Sequence, residues 1–491
     1  MRETNRILVF DIGTSAVKTA LFSDTLELVA LSSTEYPLHT EGVRVEADPE
    51  AYLAAMAKGV ALLPERDGVK AICITTQGET YVPVDASGAP LTRAVVWLDA
   101  RATDAAKQLC RELSCQGFYE TTGLPEITGA LPLAKLGDFS KTQQALYEKT
   151  DKFLLLEDYL RFVLTGRALT NDSLATSTGW LNIRTGSYWE EALAVAGVSK
   201  EKLPEITGSG APAGVLQQSM ASLLGLPSGI PVFTGAMDQT AAALSAIAGR
   251  KSIVAETTGT AHVLAAATQS PIFLPEHHTT VYRHALPGQF LYLPIGNTAG
   301  MALKWFRREF AMPGEDFMQF DEMAQKVSAG SAGVTFLPYL SGAVDPFTLP
   351  DATACFFGMR LSTTRAELVR ALLESTGFEL KQFLQQLRQL GCDTSSVVAL
   401  GGGAKSALWC SIKADIAERA IETPVLSEAT AAGAALLAGW GSGLIASGEY
   451  PAALTKTAAV YEPDPEHYQA CREAFSRYNA LLTALLPIYR A

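Results

Sequence analysis

Two short segments of the chain combine glycine and hydroxyl residues in a pattern that suits phosphate binding. The first is DIGTS at 11–15, which lies between the apolar run 7–10 and the β-rich run 17–22. The second is TTGT at 257–260, which lies between the runs 252–256 and 262–264. Each pattern predicts a hairpin, because two β-rich runs flank a tight Gly-Thr turn. Glycine lets the backbone approach an anion closely, and the exposed N–H and hydroxyl groups supply donors.

Asp11 adds a metal-binding group to the first turn. A carboxylate at a strand end can hold Mg²⁺, often through water, while the turn meets the β- and γ-phosphates of a nucleotide. An Asp-Gly or Gly-Thr hairpin turn without any ligand is the alternative interpretation of each segment alone. The repetition of the turn in equivalent surroundings, 246 positions apart (259 minus 13), favours the functional interpretation and indicates a duplicated domain.

A third glycine-rich segment follows the apolar run 397–400. Gly401, Gly402 and Gly403 leave a surface free of side chains, against which a nucleoside can lie. An ordinary glycine-rich loop between a strand and a helix is the alternative. The sequence contains neither a GxGxxG dinucleotide motif at this point nor a GxxxxGK[ST] P-loop, so phosphate binding would depend on the paired hairpins.

Composition limits the classes of function. A chain of 491 residues exceeds the size of one core, and its 48% hydrophobic residues suit a globular protein of two domains. The formal net charge of −12 argues against nucleic acid or an anionic membrane as the main partner. The seven cysteines show no CxxC pairing, so we expect them to be reduced thiols. The sequence shows no signal peptide and no membrane-spanning run, and we therefore expect a cytoplasmic protein. The histidines show no zinc-ligand spacing.

The element pattern predicts an α/β protein. Strands are expected at 69–75, 79–84, 231–234 and 396–400, and helices at 99–114, from 156, and at 240–248, 298–310, 317–328, 364–390, 429–440 and 464–489. Strands that alternate with helices are typical of helices packed on a sheet.

Seven ordered motifs carry a family resemblance over nearly the whole chain. They are FDIGTS at 10–15, TTQGET at 75–80, WLDAR at 97–101, GAMDQTAAAL at 235–244, TTGT at 257–260, LPYLSG at 337–342 and GGGAKS at 401–406. Their order resembles the FGGY family of carbohydrate kinases. The resemblance implies a duplicated ATPase fold of the actin, Hsp70 and hexokinase type, with two domains flanking a cleft. It also implies an N-terminal domain at 1–249, a C-terminal domain at 250–455 and a helical tail at 456–491.

The same resemblance implies Mg²⁺-dependent transfer of phosphate from ATP to a sugar or polyol. Asp238 would be the general base; a helix N-cap is the alternative role for this residue. The implied phosphate-binding residues are Asp11, Gly13, Thr14, Ser15, Thr258, Gly259 and Thr260, with Asp11 also holding Mg²⁺. The implied adenosine-binding residues are Gly401, Gly402, Gly403, Ala404 and Lys405. Lys18 is an alternative phosphate contact, or an exposed strand lysine.

Gln77, Gly78, Glu79, Asp238 and Gln239 are the expected substrate contacts. Gln and Glu side chains suit vicinal hydroxyls, and Gly78 stands where glycerol kinases carry arginine, which disfavours glycerol. The region 156–189 resembles ketose kinases, so a pentulose such as xylulose is the expected substrate.

Several alternatives stay open at this point. Glycerol, a tetritol or a signalling molecule shaped like a short ketose are alternative substrates, and an actin-like or chaperone-like ATP-driven switch is the alternative class. The motif WLDAR suits either the substrate cleft or packing at a helix start. The segment 342–345, which lacks an arginine common in relatives, has an open role, and a homodimer is also left open.

Overall fold

The computed structural model describes residues 5–64, 66–247, 249–250, 253–274, 279–345 and 347–490. Ala248 and Ser252, which belong to segments discussed above, lie outside the described residues. The chain divides into two compact units. The first unit comprises Met1–Gly249, Thr280–Leu291 and Glu428–Thr455, and the second comprises Arg250–Thr279, Tyr292–Ser427 and Lys456–Ala491.

The strands follow one another along the chain as β1 Arg6–Ile12, β2 Ala16–Ser23, β3 Leu28–Glu35, β4 His39–Glu41, β5 Arg44–Ala47, β6 Val69–Thr76, β7 Tyr81–Val84, β8 Ala94–Val95, β9 Lys152–Leu155, β10 Leu169–Asn171, β11 Leu181–Asn182, β12 Ser187–Tyr188, β13 Glu205–Thr207, β14 Pro212–Val215, β15 Pro231–Phe233, β16 Ile253–Thr258, β17 His262–Thr268, β18 Thr280–Arg283, β19 Phe290–Leu293, β20 Ile295–Gly296, β21 Thr335–Leu337, β22 Cys355–Phe357, β23 Ser396–Leu400, β24 Ile421–Pro424 and β25 Thr457–Tyr461.

The α-helices are α1 Pro49–Ala61, α2 Thr103–Glu112, α3 Cys115–Thr122, α4 Pro132–Thr142, α5 Gln144–Lys149, α6 Leu156–Thr165, α7 Asp172–Ala175, α8 Glu190–Ala196, α9 Gln218–Leu224, α10 Asp238–Ile247, α11 Gly300–Phe310, α12 Phe317–Gln325, α13 Arg365–Gln389, α14 Ala407–Ala417, α15 Ala429–Ser442, α16 Ala452–Thr455 and α17 Tyr468–Tyr489. No helix among the described residues is long and apolar enough to cross a membrane.

A six-stranded mixed sheet organises the first unit, in the order β14-β15-β6-β1-β2-β3. Strands β1 and β2 form an antiparallel hairpin, whereas β1 pairs with β6, and β6 with β15, in parallel. The run Ile7–Phe10 in β1 is wholly buried, as expected for a strand covered on both faces of its sheet.

The second unit repeats this arrangement of strands. Strands β16 and β17 form an antiparallel hairpin, β16 pairs with β23 in parallel, and β23 pairs with β24 in parallel. The order β17-β16-β23-β24 therefore matches β2-β1-β6-β15 in direction as well as sequence. The duplication that the two Gly-Thr turns predicted is a duplication of the sheet itself.

The two hairpins differ in the length of their turns. In the first, Ile12 pairs with Val17, which leaves four residues in the turn. In the second, Thr258 pairs with His262, which leaves three. Both turns are closed by the amide of their glycine, which donates to Ala16 O in the first and Ala261 O in the second, at 3.0 Å each.

Most predicted elements are present, with differences at their ends. The strand expected at 79–84 begins only at Tyr81, because Glu79 adopts a left-handed φ of 65° that no strand accommodates. The helix expected at 99–114 is shorter, Thr103–Glu112. The segment Glu428–Thr455 packs in the first unit, and the domain bounds 1–249, 250–455 and 456–491 stay predictions.

Helix α15 supports the start of α10 through a very close backbone approach. A Cβ atom at Gly433 in α15 would lie 1.9 Å from the carbonyl oxygen of Ala241 in α10. No side chain fits at that distance, so glycine is required for the two helices to meet. The contact matters for the site because α10 begins at Asp238.

We therefore expect Gly433→Ala to lower the free energy of unfolding by at least about 2 kcal/mol, because the methyl group must push α15 away from α10. Urea unfolding followed by circular dichroism measures this change. The matched control is Gly208→Ala, where a Cβ meets no atom within 4 Å and φ is not in the left-handed region. Equal stability of the two variants would contradict the packing argument.

Candidate active site

The loop between β15 and α10 places Asp238 at the edge of the first unit's sheet. A Cβ at Gly235 would lie 1.8 Å from Ile74 O, so only glycine lets this loop press against β6. The Thr75 hydroxyl donates to Ala236 O at 2.7 Å, and the Gly235 amide donates to Glu157 Oε1 at 3.0 Å. These contacts fix the backbone that carries Asp238.

Asp238 itself is held loosely. Its Oδ1 atom accepts a hydrogen bond from the adjacent Gln239 amide at 2.6 Å, rather than from the amides two or three residues further on, as a helix cap would. Burial raises the pKa of Asp238 to about 6, the Gln239 amide lowers it, and the negative charge of Glu79 raises it. Both Asp238 and Gln239 keep part of their surface open. A half-buried carboxylate with a pKa near neutrality is suited to accept a proton.

Asp11 lies at the end of β1 in the same region. Burial raises the pKa of Asp11 to about 7, the negative charge of Asp238 raises it further, and the Lys18 ammonium opposes the shift. Lys18 is bound to another partner, since its Nζ atom lies 2.7 Å from Glu428 Oε2. The structure thus brings Asp11 and Asp238 close enough to repel each other, and Lys18 is shared between Glu428 and the charge of Asp11.

The surroundings of Asp11 fit Mg²⁺. Magnesium prefers oxygen ligands and keeps several waters, so one or two carboxylates together with substrate phosphates suffice. Asp11 supplies such a carboxylate, and a cation beside it would relieve its repulsion from Asp238. No cluster of three or more His, Cys, Asp or Glu residues within the described ranges could hold a metal ion by itself.

Gln77 offers an unsatisfied amide beside this acidic pair. Its backbone amide donates to Ile12 O at 3.0 Å, which joins the end of β6 to the end of β1. Its side chain is 5% exposed, and neither Oε1 nor Nε2 has a partner among the described residues. A buried amide without partners is costly, typically by 1–3 kcal/mol, so these atoms are expected to bind a ligand.

Gly78 and Glu79 complete the segment after β6. A Cβ at Gly78 would lie 2.8 Å from Ser177 Oγ and 3.2 Å from Met237 Sδ, so the position has no room for a side chain. Glu79 holds the left-handed conformation with φ 65°, a strain that residues at ligand-binding sites commonly carry.

Two residues beside Glu79 were missed from the sequence. Burial raises the pKa of the Glu79 carboxyl, and the Lys135 ammonium opposes the shift. Lys135 is 1% exposed, and its Nζ donates to Val96 O at 2.9 Å. Burial raises the pKa of the Tyr282 hydroxyl well above its usual value, with further contributions from Glu79 and Asp238. The available signal for Lys135 was its position inside the buried run 133–136.

Residues of the motif WLDAR have two different roles: Asp99 and Arg101 form an ion-pair network, and Trp97 contacts the first turn. Asp99 accepts from the Val45 amide at 2.8 Å and from the Arg101 guanidinium at 2.6 and 2.8 Å, and Arg101 also binds Glu46 at 2.6 Å. This ion-pair network has the packing role that the sequence left open. Trp97 is different, because its indole N–H donates to the Thr14 hydroxyl at 3.0 Å. Trp97 therefore orders a side chain of the first turn.

The first turn directs its carbonyl groups into the protein and leaves amides free. The Tyr36 hydroxyl donates to Gly13 O, and the Tyr36 amide donates to Ser15 O at 3.2 Å. Within the residues that the structure describes, the Thr14 and Ser15 amides donate to no protein acceptor. Unused amides beside a glycine form a concave site for an anion.

The second turn achieves the same orientation with a helix. The amides of Ala299 and Met301, at the start of α11, donate to Thr260 O at 3.0 and 3.2 Å, and the Gly300 amide donates to Gly259 O at 2.9 Å. The Thr260 amide has no acceptor in the described part of the chain. Thr258 is placed differently, since its side chain is buried and its hydroxyl donates to Glu256.

The glycine loop after β23 packs directly on the second turn. Gly401 has φ 77°, and a Cβ there would lie 2.8 Å from Thr258 O; a Cβ at Gly403 would lie 2.6 Å from the Thr258 side chain. Gly402 and Lys405 are exposed and Ala404 is half-buried. Ser406 is engaged elsewhere, because its hydroxyl caps α14 at the Trp409 amide (3.0 Å) and donates to Asp321 at 2.6 Å.

The segment 342–345, whose role the sequence left open, has a structural contact in the second unit. Asp345 Oδ2 accepts from the Ile295 amide at 2.9 Å, and the Asp345 amide donates to Ile295 O at 3.2 Å. The carboxylate thereby fastens its loop to β20.

Family models, curated relatives and a solved structure are similar to this chain over most of its length. The model of the FGGY family of carbohydrate kinases, N-terminal domain, matches residues 6–245, and that of the C-terminal domain matches residues 254–442. The chain is 27% identical over 460 residues to gluconokinase of Bacillus subtilis (strain 168), covering 90% of this chain and 89% of the relative. It is 25% identical over 439 residues to xylulose kinase of Staphylococcus xylosus, covering 89% of this chain and 90% of that one. The structure of ligand-bound xylulose kinase from Lactobacillus acidophilus superimposes with a TM-score of 0.92 at 25% identity over 99% of each chain.

The raised pKa of Asp238 predicts how stability responds to its removal. The folded protein binds the Asp238 proton more tightly than the unfolded chain, whose carboxyl has a pKa near 3.8. The ionised group therefore disfavours folding above about pH 6, and this penalty disappears as the pH falls toward 4. We expect Asp238→Asn to be more stable than the wild type at pH 8, with the difference shrinking at pH 4.5 in urea unfolding. A variant that is less stable than the wild type at pH 8 would instead indicate a capping role.

Proposed function

Because the chain belongs to the FGGY family of carbohydrate kinases and is an ATP-dependent phosphotransferase with the duplicated actin/hexokinase-type fold, we propose that it phosphorylates a small neutral ketose or polyol, foremost a pentulose such as xylulose. Asp238 acts as the general base. The observation that carries the proposal is the loosely held Asp238 carboxylate, with a pKa of about 6, in the neighbourhood of Glu79 and the unpartnered Gln77 amide.

Asp238 accepts the proton of the attacking hydroxyl. Phosphoryl transfer needs positioning and charge neutralisation more than covalent help from the protein, and one carboxylate aimed at the nucleophile completes the requirement. A pKa of about 6 keeps Asp238 ionised at neutral pH, yet basic enough to take up the proton as the oxygen attacks.

We infer that the Gly-Thr turn of each unit, considered by itself, is a phosphate-binding turn. In the first unit the free amides of Thr14 and Ser15 donate to phosphate oxygens, with Trp97 holding the Thr14 hydroxyl in place. In the second unit the free amide of Thr260 does the same, beside Gly259, which leaves room for the anion. Thr258 is buried and supports the turn through its contact with Glu256. Asp11 would hold Mg²⁺, which supplies charge neutralisation at the transferred phosphoryl group. Gly401 to Lys405 would line the adenosine.

The charges of the first unit favour a neutral substrate. Relatives of this chain are named gluconokinase and xylulose kinase, and gluconate differs from xylulose in carrying a carboxylate. Glu79 and Asp238 are both acidic, and the buried Lys135 beside Glu79 donates to Val96 O. A substrate carboxylate would be repelled there, whereas ketose hydroxyls find the acceptors and donors of Glu79 and Gln77.

A panel of acceptors tests the proposal. We expect ADP release to depend on added acceptor and to be fastest with a neutral pentulose, because only uncharged hydroxyls match the acidic site. Xylulose, ribulose, erythritol, glycerol and gluconate at equal concentration are compared by a coupled ADP assay. Faster turnover with gluconate would overturn the proposed substrate class, and ADP release that no acceptor accelerates would overturn the role of Asp238.

We further expect Gln77→Leu to raise the KM for the sugar by about 10-fold or more, since a buried amide bonded to substrate typically contributes 1–3 kcal/mol. Steady-state kinetics with the sugar varied at saturating ATP measure this effect. The KM for ATP, determined in the same variant, serves as the internal control and should not change. An unchanged KM for the sugar would remove Gln77 from the substrate site.

A further inference from the structure

A group of fully buried charged residues lies beneath the second Gly-Thr turn. The buried cluster consists of Glu256 on β16, His262 on β17, Glu379 on α13 and Lys413 on α14. Glu256, His262 and Lys413 are 0% exposed and Glu379 is 3% exposed. All four belong to the second unit. None was singled out from the sequence, and the kinase chemistry described above does not use them directly.

The cluster is connected by short polar contacts. Lys413 Nζ lies 2.9 Å from Glu256 Oε2 and 3.2 Å from Thr258 Oγ1. The Thr258 hydroxyl in turn donates to Glu256 Oε1. His262 Nε2 lies 3.1 Å from Glu256 Oε1, and its Nδ1 lies 3.5 Å from Glu379 Oε2. Three elements and the turn are therefore joined through Glu256.

The fold does not require charges at these positions. The duplicated hairpin of the first unit has Phe10, Ile12 and Val17 where the second unit has Glu256, Thr258 and His262, according to the paired registers of the two hairpins. All three apolar residues are 0% exposed, and the hairpin forms with them. Buried ion pairs are often no more stabilising than apolar residues of similar volume, because desolvation offsets their attraction. Stability alone therefore does not explain the cluster.

The position of the cluster suggests what it does instead. Thr258 and His262 form the last paired residues before the turn, so the cluster holds both of its ends. Thr258 also packs against Gly403, where a Cβ would lie 2.6 Å from its side chain. Lys413 lies on α14, the helix that follows the glycine loop. Directional polar contacts thus fix the turn relative to the loop that is proposed to line adenosine.

We propose that Glu256 and Lys413 are positioning residues, which set the orientation of the Gly259–Thr260 turn toward the phosphates of ATP. This inference rests on the proposed function in one respect, namely that the second turn binds the nucleotide. An ammonium and a carboxylate with three connected partners restrict the turn to one geometry more strictly than apolar packing does. The first turn needs no such device, because Tyr36 holds its carbonyl groups.

The test separates positioning from stability. In Lys413→Met, Glu256 loses its partner ion, so both stability and nucleotide affinity should fall. In the double variant Glu256→Leu/Lys413→Met, which imitates the apolar first unit, urea unfolding should show recovered stability. The Kd for ADP by calorimetry and the KM for ATP should stay raised at least fivefold, while the KM for the sugar stays within twofold of the wild type.

Two further variants keep the result decisive. Glu256→Gln preserves volume and should raise the Kd for ADP at least threefold even if the double variant fails to fold. Lys381→Met, which breaks the Lys381–Glu418 ion pair of 2.8 Å in the same unit, is the matched control and should leave that Kd unchanged. Wild-type affinity for ADP in a folded double variant or in Glu256→Gln would overturn the proposal. ADP binding is measured without sugar, so the outcome is distinct from failure of the proposed substrate.

Discussion

The first unit depends on a balance of charge among Asp11, Asp238 and Glu79. Burial raises the pKa values of all three carboxyl groups, and the charge of Asp238 raises that of Asp11 as Glu79 raises that of Asp238. Lys18 and Lys135 oppose these shifts only in part. Lys18 is bound to Glu428, and Lys135 donates to a backbone carbonyl. Such an arrangement is unfavourable for folding, and it persists because Gly235 and the contacts around it fix the backbone beneath it. Mg²⁺ and the proton of an attacking hydroxyl are the groups that would relieve it.

The two hairpins have the same turn orientation, but different residues support it in each unit. Both direct carbonyl groups inward and leave amides free, but the first relies on Tyr36 and an apolar layer, whereas the second relies on α11 and a buried charged cluster. Duplication therefore explains why the two turns are alike. Comparison of the duplicated hairpins also identifies the residues that differ between the two units. Glu256 and Lys413 stand out only against Phe10 and its apolar neighbours in the first unit.

Local patterns made the backbone of the site predictable from the sequence. Gly-Thr turns between β-rich runs gave both hairpins, and the apolar run before three glycines gave the strand and loop that pack on Thr258. Residues that act through distant partners were not predictable in this way. Glu428 and Lys18 are 410 positions apart in the sequence, and Lys413 and Glu256 are 157 positions apart. No local periodicity or motif spacing can therefore predict these contacts. The left-handed φ of Glu79 was also missed, because the residue type favours an ordinary backbone there.

The central claim is that Asp238 takes the proton from the substrate hydroxyl, and the pH dependence of kcat/KM for the sugar at saturating ATP and Mg²⁺ tests it most directly. Only the ionised carboxylate can act as base, so kcat/KM should be constant above pH 7 and fall about tenfold per pH unit below the pKa of about 6. The wild-type protein must be shown to stay folded across this range by circular dichroism. A rate that is constant from pH 5 to pH 8, or that rises on acidification, would contradict the assignment of Asp238 as the base.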